Sequence, residues 1–448
     1  MRYYSTRDAG RKSMYSLKDA SFMGLAPDGG LFMPEYIPRV DLEQVLLAAY
    51  SSYADMAVYL ASLFFGEEFS SDVMRSLVQR AYNFSCPLRR LDDDLWILEL
   101  FHGPTCAFKD FGARFMGAVL GQLREGDEHL TVLTATSGDT GSAVAAGFHG
   151  VPGVNVVVLY PKGKVSNLQE SQMTTLGGNI CAVQVDGTFD DCQALVKQLF
   201  NDKVFRATHN ITSANSINLL RWIPQSFYYF YAWTQWYKAT GRMAPDVVVP
   251  SGNYGNITAG MLAARMGLPV RRFICASNAN DVVPQYLASG VYRPRPSVCT
   301  IANAMDVGAP SNYERMMCLY GNNYQELCSS LYGWSCSDDD IRSGIAAIYQ
   351  RYGYVSDPHT TTGWLAAQHY AARGFSLSTA HPAKFQEVIA PVLHRDVEVP
   401  ETLRHVMNKQ KAFTCIGVDA CQLKKLIHKV VALSFTTVND IDDGRPMG

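Results

Sequence analysis

The stretch Glu99-Leu-Phe-His-Gly-Pro-Thr-Cys-Ala-Phe-Lys109-Asp-Phe-Gly112 sets one lysine between aromatic residues, just after a strand-like run (Leu95 to Leu100) and a Gly103-Pro104 turn. Phe108 and Phe111 are expected to limit hydration of the ammonium. Desolvation lowers an amine's pKa, and the free amine it leaves can attack a carbonyl, as a Schiff-base lysine must. By itself the window also reads, more simply, as a lysine at a helix start that reaches solvent, so its meaning depends on what the rest of the chain brings to it.

Outward from this stretch, short β-branched runs alternate with helical segments. Strands are expected at Leu130 to Thr136, Val154 to Tyr160, Ile180 to Val185, Asp246 to Pro250, Val270 to Ala276 and Phe375 to Thr379. Between and after them, helical periodicity marks Ser142 to Gly147, Asn167 to Leu176, Asp190 to Phe200, a long stretch from Ser216 to Ala239, Thr258 to Met266, Asp338 to Arg351 and Thr361 to Arg373. Such alternation predicts a mostly parallel sheet covered on both faces, with ligands at the carboxyl ends of its strands. Residues 1–90 read instead as a helical appendage, with amphipathic segments at Leu42 to Ala49, Met56 to Phe65 and Asp72 to Ala81.

Two strand-end loops carry anion-binding chemistry. In Thr136-Ser-Gly-Asp-Thr-Gly-Ser142, glycines allow close backbone approach, and hydroxyls with helix-start amides suit a carboxylate or phosphate, although a plain helix cap also fits. Pro250-Ser-Gly-Asn-Tyr-Gly-Asn256 follows an all-apolar strand, and its consecutive amides would form a concave nest at a helix N-terminus, the natural seat of a phosphate. A third group, Asn215, Asn218 and Arg221, could clamp a second anion, or serve only as a cap and a surface arginine. Neither a Walker loop nor a G-x-G-x-x-G is present.

Composition narrows the partners. The chain has 448 residues, 48% hydrophobic and 18% charged, with a net charge of −2 and no basic block, so neither nucleic acid nor an anionic membrane is an expected partner. No run approaches the roughly 18 apolar residues of a membrane span, and the N-terminus lacks the apolar core of a secretion signal, so a cytoplasmic enzyme is expected. The 11 cysteines form no C-x-x-C pair and the 10 histidines no ligand cluster, which predicts reduced thiols and no transition metal.

A lysine in a dry pocket, a phosphate nest and a second anion loop together describe a pyridoxal-phosphate enzyme. Glu99-Leu-Phe-His-Gly-Pro-Thr with Ala107-Phe-Lys-Asp, Ser137-Gly-Asp-Thr-Gly, Gly252-Asn-Tyr-Gly-Asn and Thr379-Ala-His-Pro-Ala-Lys-Phe385 resemble the signatures of threonine synthases. Tyr4-Ser-Thr-Arg7 and Gly29-Gly-Leu-Phe-Met-Pro34 extend the resemblance over nearly the whole chain. It departs from the family at Tyr254, where Phe is common, and at Asn256, where some members carry Asp.

The resemblance implies an α/β protein of pyridoxal-phosphate fold type II (tryptophan synthase β-like), with mostly parallel sheets flanked by helices. A catalytic core at 91–448 would then hold a smaller subdomain nested at about 112–225. It implies pyridoxal 5'-phosphate as cofactor, held by Lys109 as a Schiff base and by the phosphate loop of Gly252, Asn253, Tyr254, Gly255 and Asn256. Thr360 would be the neutral partner of the pyridine nitrogen, with Thr361 and Thr362 leaving that register open. Ser137, Asp139 and Thr140 would receive substrate carboxylate or phosphate, and Asn215 and Arg221 the substrate's phosphate. The implied reaction is that of a lyase, converting O-phospho-L-homoserine and water to L-threonine and phosphate. A dehydratase or phospho-lyase of the same fold, or a cofactor-binding regulator without turnover, are the competing readings. The resemblance leaves a monomer and a homodimer equally open.

Overall fold

The computed structural model describes residues 1–126 and 128–439, with side chains placed up to 432 at the carboxyl end. The last part of the expected catalytic core, 440–448, lies outside the described residues.

Two sheets organise the chain. The larger has six strands in the spatial order Leu331–Ser335, Arg272–Ser277, Asp246–Pro250, Gly374–Ser378, Leu95–Glu99 and Leu88–Arg90, parallel throughout except for the last pair. The smaller has five parallel strands, Thr414–Ile416, Ile180–Val185, Val154–Pro161, Leu130–Ala135 and Ile211–Thr212. Its edge strand Thr414–Ile416 comes from far beyond the segment at 112–225, so the carboxyl-terminal chain returns to complete this unit. Strands such as Val154–Pro161 and Asp246–Pro250 are buried along their whole length, as expected where helices cover both faces of a parallel sheet.

The amino-terminal helices form at Leu42–Ser51, Tyr53–Phe65 and Ser71–Ala81, close to the periodic segments. The region is not wholly helical: Tyr3–Ser5 pairs with Phe32–Pro34, and Leu88–Arg90 joins the large sheet. The expected long helix is split into Leu219–Trp222 and Gln225–Thr240 at Pro224, which cannot donate the N–H that a continuous helix needs.

Two helices position the site. Lys109–Leu123 and Asp139–Phe148 cross on glycines: a Cβ on Gly117 would lie 2.4 Å from the Gly147 carbonyl oxygen, and one on Gly147 would lie 2.8 Å from the Ala113 carbonyl carbon. Only residues without a side chain allow this approach, and it sets the N-termini of both helices at one place. Gly112 likewise admits the Arg221 carbonyl, 2.5 Å from where its Cβ would stand.

Candidate active site

A cavity of about 510 Å³ opens between the two sheets, lined by Phe108 and Lys109, by Ser137 and Thr140, by Asn215, Ser216 and Arg221, and by the loop 252–256. Lys109 opens the helix Lys109–Leu123, with its Nζ 5.8 Å from the centre of the Phe108 ring. Burial brings its ammonium down to about 8 against the pull of Asp139, with the positive charges of Lys384 and Arg221 adding to the effect. Phe111 does not share this task. Two positions further along the helix, it faces away into an aromatic cluster with Tyr53, Tyr82, Phe84 and Tyr228.

The loop at 252–256 offers main chain rather than side chains. Among the described residues, the N–H groups of Gly252, Asn253, Tyr254 and Gly255 have no acceptor, and Gly255 begins the helix Gly255–Met266. Tyr254 takes the left-handed conformation (φ 60°) and turns its side chain inward, its hydroxyl 2.7 Å from Ser277 Oγ. Asn256 braces the loop internally: its Oδ1 accepts from Ser251 Oγ (2.7 Å) and the Ile257 amide (2.9 Å), while its Nδ2 donates to the Pro250 carbonyl (2.8 Å). Both departures from the family pattern therefore leave the presented amides unchanged. Gly252 is required by packing, since a Cβ there would lie 2.5 Å from Met305 Cα.

Asn215, Ser216 and Arg221 form the adjoining wall, with Ser216 in contact with the loop. Asn215 Oδ1 accepts from Thr134 Oγ1 (2.9 Å), and Arg221 Nη1 donates to the Ala214 carbonyl (2.5 Å) while its buried Nε has no partner among the described residues. Asn218 is withdrawn from this wall as the cap of the helix Leu219–Trp222. Ser216, which sequence reading passed over, accepts from both Asn253 Nδ2 (2.6 Å) and Asn312 Nδ2 (3.2 Å).

Two expected residues are elsewhere. Asp139 does not line the cavity; its Oδ1 meets Lys384 Nζ at 2.5 Å and accepts from Gln169 Nε2 at 3.0 Å. Burial alone would raise its pKa, yet the Lys384 and Lys109 charges hold the carboxyl well below the usual range. A carboxylate so paired is not a receiver for a second anion. Thr360 is also outside the cavity wall, fully buried, its hydroxyl donating to Asp357 and lying 2.7 Å from Ser378 Oγ. Thr361 and Thr362 spend theirs on the Asp357 and Pro358 carbonyls, each at 2.9 Å. The hydroxyl residue that reaches the cavity from this side is Thr379, just past the strand Gly374–Ser378, whose carbonyl accepts from the Phe108 amide at 2.8 Å. His359 joins it, with Nδ1 2.7 Å from Asp357 Oδ1 and Nε2 accepting from the Ala304 amide at 3.2 Å. Lys384 and Thr379 both fall within the Thr379–Phe385 motif, whose spacing alone assigned them no role.

A low-pKa amine, a row of unpartnered amides at a helix start and a buried arginine with a free N–H suit a phosphorylated aldehyde cofactor beside an anionic substrate. The site and its two-sheet scaffold define the class of pyridoxal-phosphate-dependent enzymes, and residues 76–376 match the family described as "Pyridoxal-phosphate dependent enzyme". The flanking segments are more specific: residues 2–82 match "Threonine synthase N terminus" and residues 360–427 match "Threonine synthase, C-terminal". The chain is 40% identical over 430 residues to the threonine synthase of Escherichia coli (strain K12), covering 95% of this chain and 99% of that one. It superposes on a crystal structure of the E. coli threonine synthase with a TM-score of 0.88 at 39% identity, covering 96% and 100% of the two chains. For the PLP-bound threonine synthase from Brucella melitensis the TM-score is 0.90 at 33% identity, covering 96% and 99%. The chain belongs to the threonine synthase family.

Proposed function

We propose that this chain performs the threonine synthase reaction, converting O-phospho-L-homoserine and water to L-threonine and phosphate, on the residues that line the cavity. The observation that carries this reading is that one cavity joins Lys109, whose amine is drawn down to about 8, to two adjoining sets of anion-seeking donors, the loop amides of Gly252 to Gly255 and the Arg221 guanidinium with Ser216. One set suits the cofactor phosphate and the other the substrate phosphate.

Lys109 would hold the cofactor's aldehyde carbon, and the amides of Gly252 to Gly255, in the loop braced by Asn256, would hold its phosphate. When bound, pyridoxal phosphate supplies an electron sink for negative charge at the substrate's α- and β-carbons. The Lys109 amine would take and return protons at those carbons. Arg221, Asn215 and Ser216 bind the γ-phosphate and stabilise it as it leaves, while Ser137 and Thr140 bind the substrate carboxylate. The place given to Thr360 passes to Thr379, whose hydroxyl would be a neutral partner for the ring nitrogen. Phe108 keeps bulk water from the amine.

We also place the enzyme in the cytoplasm. All 11 cysteines are free thiols, which agrees with a reducing compartment, and among the described residues no helix is long and apolar enough to cross a membrane.

The test is to incubate the cofactor-loaded protein with O-phospho-L-homoserine and measure phosphate and threonine together. Equal amounts support the reading. Phosphate released with a keto acid in place of threonine overturns it in favour of a lyase without hydration.

A further inference from the structure

Arg315 is buried without a carboxylate partner among the described residues. Its Nη1 donates to the Ser216 carbonyl (2.8 Å) and Asn312 Oδ1 (2.9 Å), its Nη2 to the carbonyls of Ile217 (2.6 Å) and Phe32 (3.3 Å), and its guanidinium lies over the Trp222 ring at 4.5 Å. A cation enclosed this way and met only by neutral acceptors is costly, and burial draws its pKa down to about 9. The reason for keeping it lies in the direction of the hydrogen bonds that leave it.

A guanidinium only donates. Asn312 must therefore turn Oδ1 toward Arg315, which aims its Nδ2 at Ser216 Oγ (3.2 Å) and the Asn253 carbonyl (3.1 Å). On the other side, the Ser311 amide donates to Asn253 Oδ1 (2.6 Å), which aims Asn253 Nδ2 at the same Ser216 oxygen (2.6 Å). Both acceptor sites of the Ser216 hydroxyl are filled by groups that cannot reverse. Its own hydrogen is left to donate, and Ser216 lines the cavity.

We infer that Arg315 is a positioning residue that, through Asn312, holds the Ser216 hydroxyl as an obligatory donor toward an anionic oxygen in the cavity. This rests on the reading of that wall as a phosphate site. It also gives the amino-terminal motifs a purpose. The Phe32 carbonyl is one of the acceptors, and Glu314, next to Arg315, accepts from Arg7 Nη2 (2.6 Å) and Thr6 Oγ1 (2.9 Å). The paired strands Tyr3–Ser5 and Phe32–Pro34 thus clamp the helix Tyr313–Leu319 that carries the guanidinium.

The experiment measures binding of inorganic phosphate, and KM and kcat for O-phospho-L-homoserine, in the cofactor-loaded protein. The variants are Asn312→Asp, Arg315→Met and Ser216→Ala, singly and combined. Asn312→Asp keeps the size and the Arg315 contact but removes the Nδ2 donor, so the Ser216 hydrogen turns to the new carboxylate. Phosphate binding is expected to weaken about tenfold in Asn312→Asp and in Arg315→Met, with KM rising in step, kcat falling less, and cofactor absorbance retained. Placed in the Ser216→Ala background, neither substitution should weaken binding by more than about twofold further. Equal weakening in both backgrounds, or unaltered binding in a folded Asn312→Asp protein, overturns the inference. If Arg315→Met does not fold, Asn312→Asp alone decides. A native chain that neither binds phosphate nor consumes phosphohomoserine overturns the functional reading itself, a result distinct from either.

Discussion

Lys384 Nζ stands 2.5 Å from Asp139 Oδ1 at a point where neither side chain reaches solvent, and it also donates to the Thr105 carbonyl at 2.9 Å. The bridge ties the start of the helix Asp139–Phe148 to the loop before Lys109. It also keeps a carboxylate occupied that would otherwise pair with the Lys109 amine. Removing Lys384 leaves Asp139 facing Lys109 alone. Lys384→Met is expected to raise the Lys109 pKa, seen as an upward shift in the pH midpoint for amine acylation in cofactor-free protein, and adding Asp139→Asn should reverse the shift. Breaking the pair should cost about 3–5 kcal/mol in urea unfolding, with much of this recovered in the double variant.

Lys109 itself makes a pH prediction. In the folded cofactor-free chain its ammonium gives up its proton near pH 8, while the unfolded chain keeps it to about 10.5. Between those values this residue binds more protons in the unfolded state, so its own contribution to stability rises with pH across this window. Buried thiols such as Cys86 and Cys275, pushed up by burial, oppose this at the upper end of the window, so the Lys109 contribution is read as a difference: urea stability of the native chain relative to Lys109→Met should rise from pH 7.5 to pH 9.5. An acylation midpoint near the ordinary lysine value would contradict the enclosed amine. Lys109→Met should also lose turnover by at least a thousandfold.

Thr360 and Thr379 separate stability from function. Thr360→Val removes a hydroxyl that donates to Asp357 and meets Ser378, leaving buried polar atoms short of a partner, so a loss of about 1–3 kcal/mol is expected in thermal or urea unfolding. Thr379→Val should leave stability within about 1 kcal/mol yet lower kcat roughly tenfold, the effect of a single hydrogen bond. The reverse outcome would return the ring-nitrogen role to Thr360.

Gly252 tests the phosphate loop. In Gly252→Ala the new Cβ would meet the Met305 backbone at 2.5 Å, and main chain cannot rotate aside, so the loops must part. Cofactor retention on dialysis should fall at least tenfold. Gly255→Ala meets Ser216 Cβ at 3.0 Å and Asn312 Nδ2 at 3.3 Å, and should show a milder loss. Equal retention by both variants would mean that the separation of the loops does not govern binding.

Much of this site lies close to the surface of the sequence. The strands Asp246–Pro250 and Val154–Pro161 fall close to where the apolar runs place them, because a strand buried on both faces leaves a nearly continuous hydrophobic signature. The glycine-bearing loop after Asp246–Pro250 presents its amides as its pattern suggests, since that geometry is local. The helix break at Pro224 was also written in the chain, yet periodicity on either side concealed it. The strand Leu331–Ser335 left too weak a signal, because an edge strand buries little of one face and its alternation is diluted.

By itself the sequence determined most of the strands and helices of the two sheets, the lysine singled out as the candidate Schiff-base residue and the two strand-end loops suited to anions. Those depend on periodicity, turn chemistry and a few contiguous residues. Only the tertiary structure decided which side chains serve the cavity. It turned Asp139 to Lys384, Phe111 to an aromatic cluster and Thr360 to Asp357, and it brought forward Ser216 and Thr379. The physical reason is that burying a charge or hydroxyl is costly until a partner is found, and those partners come from parts of the chain whose approach no local pattern records.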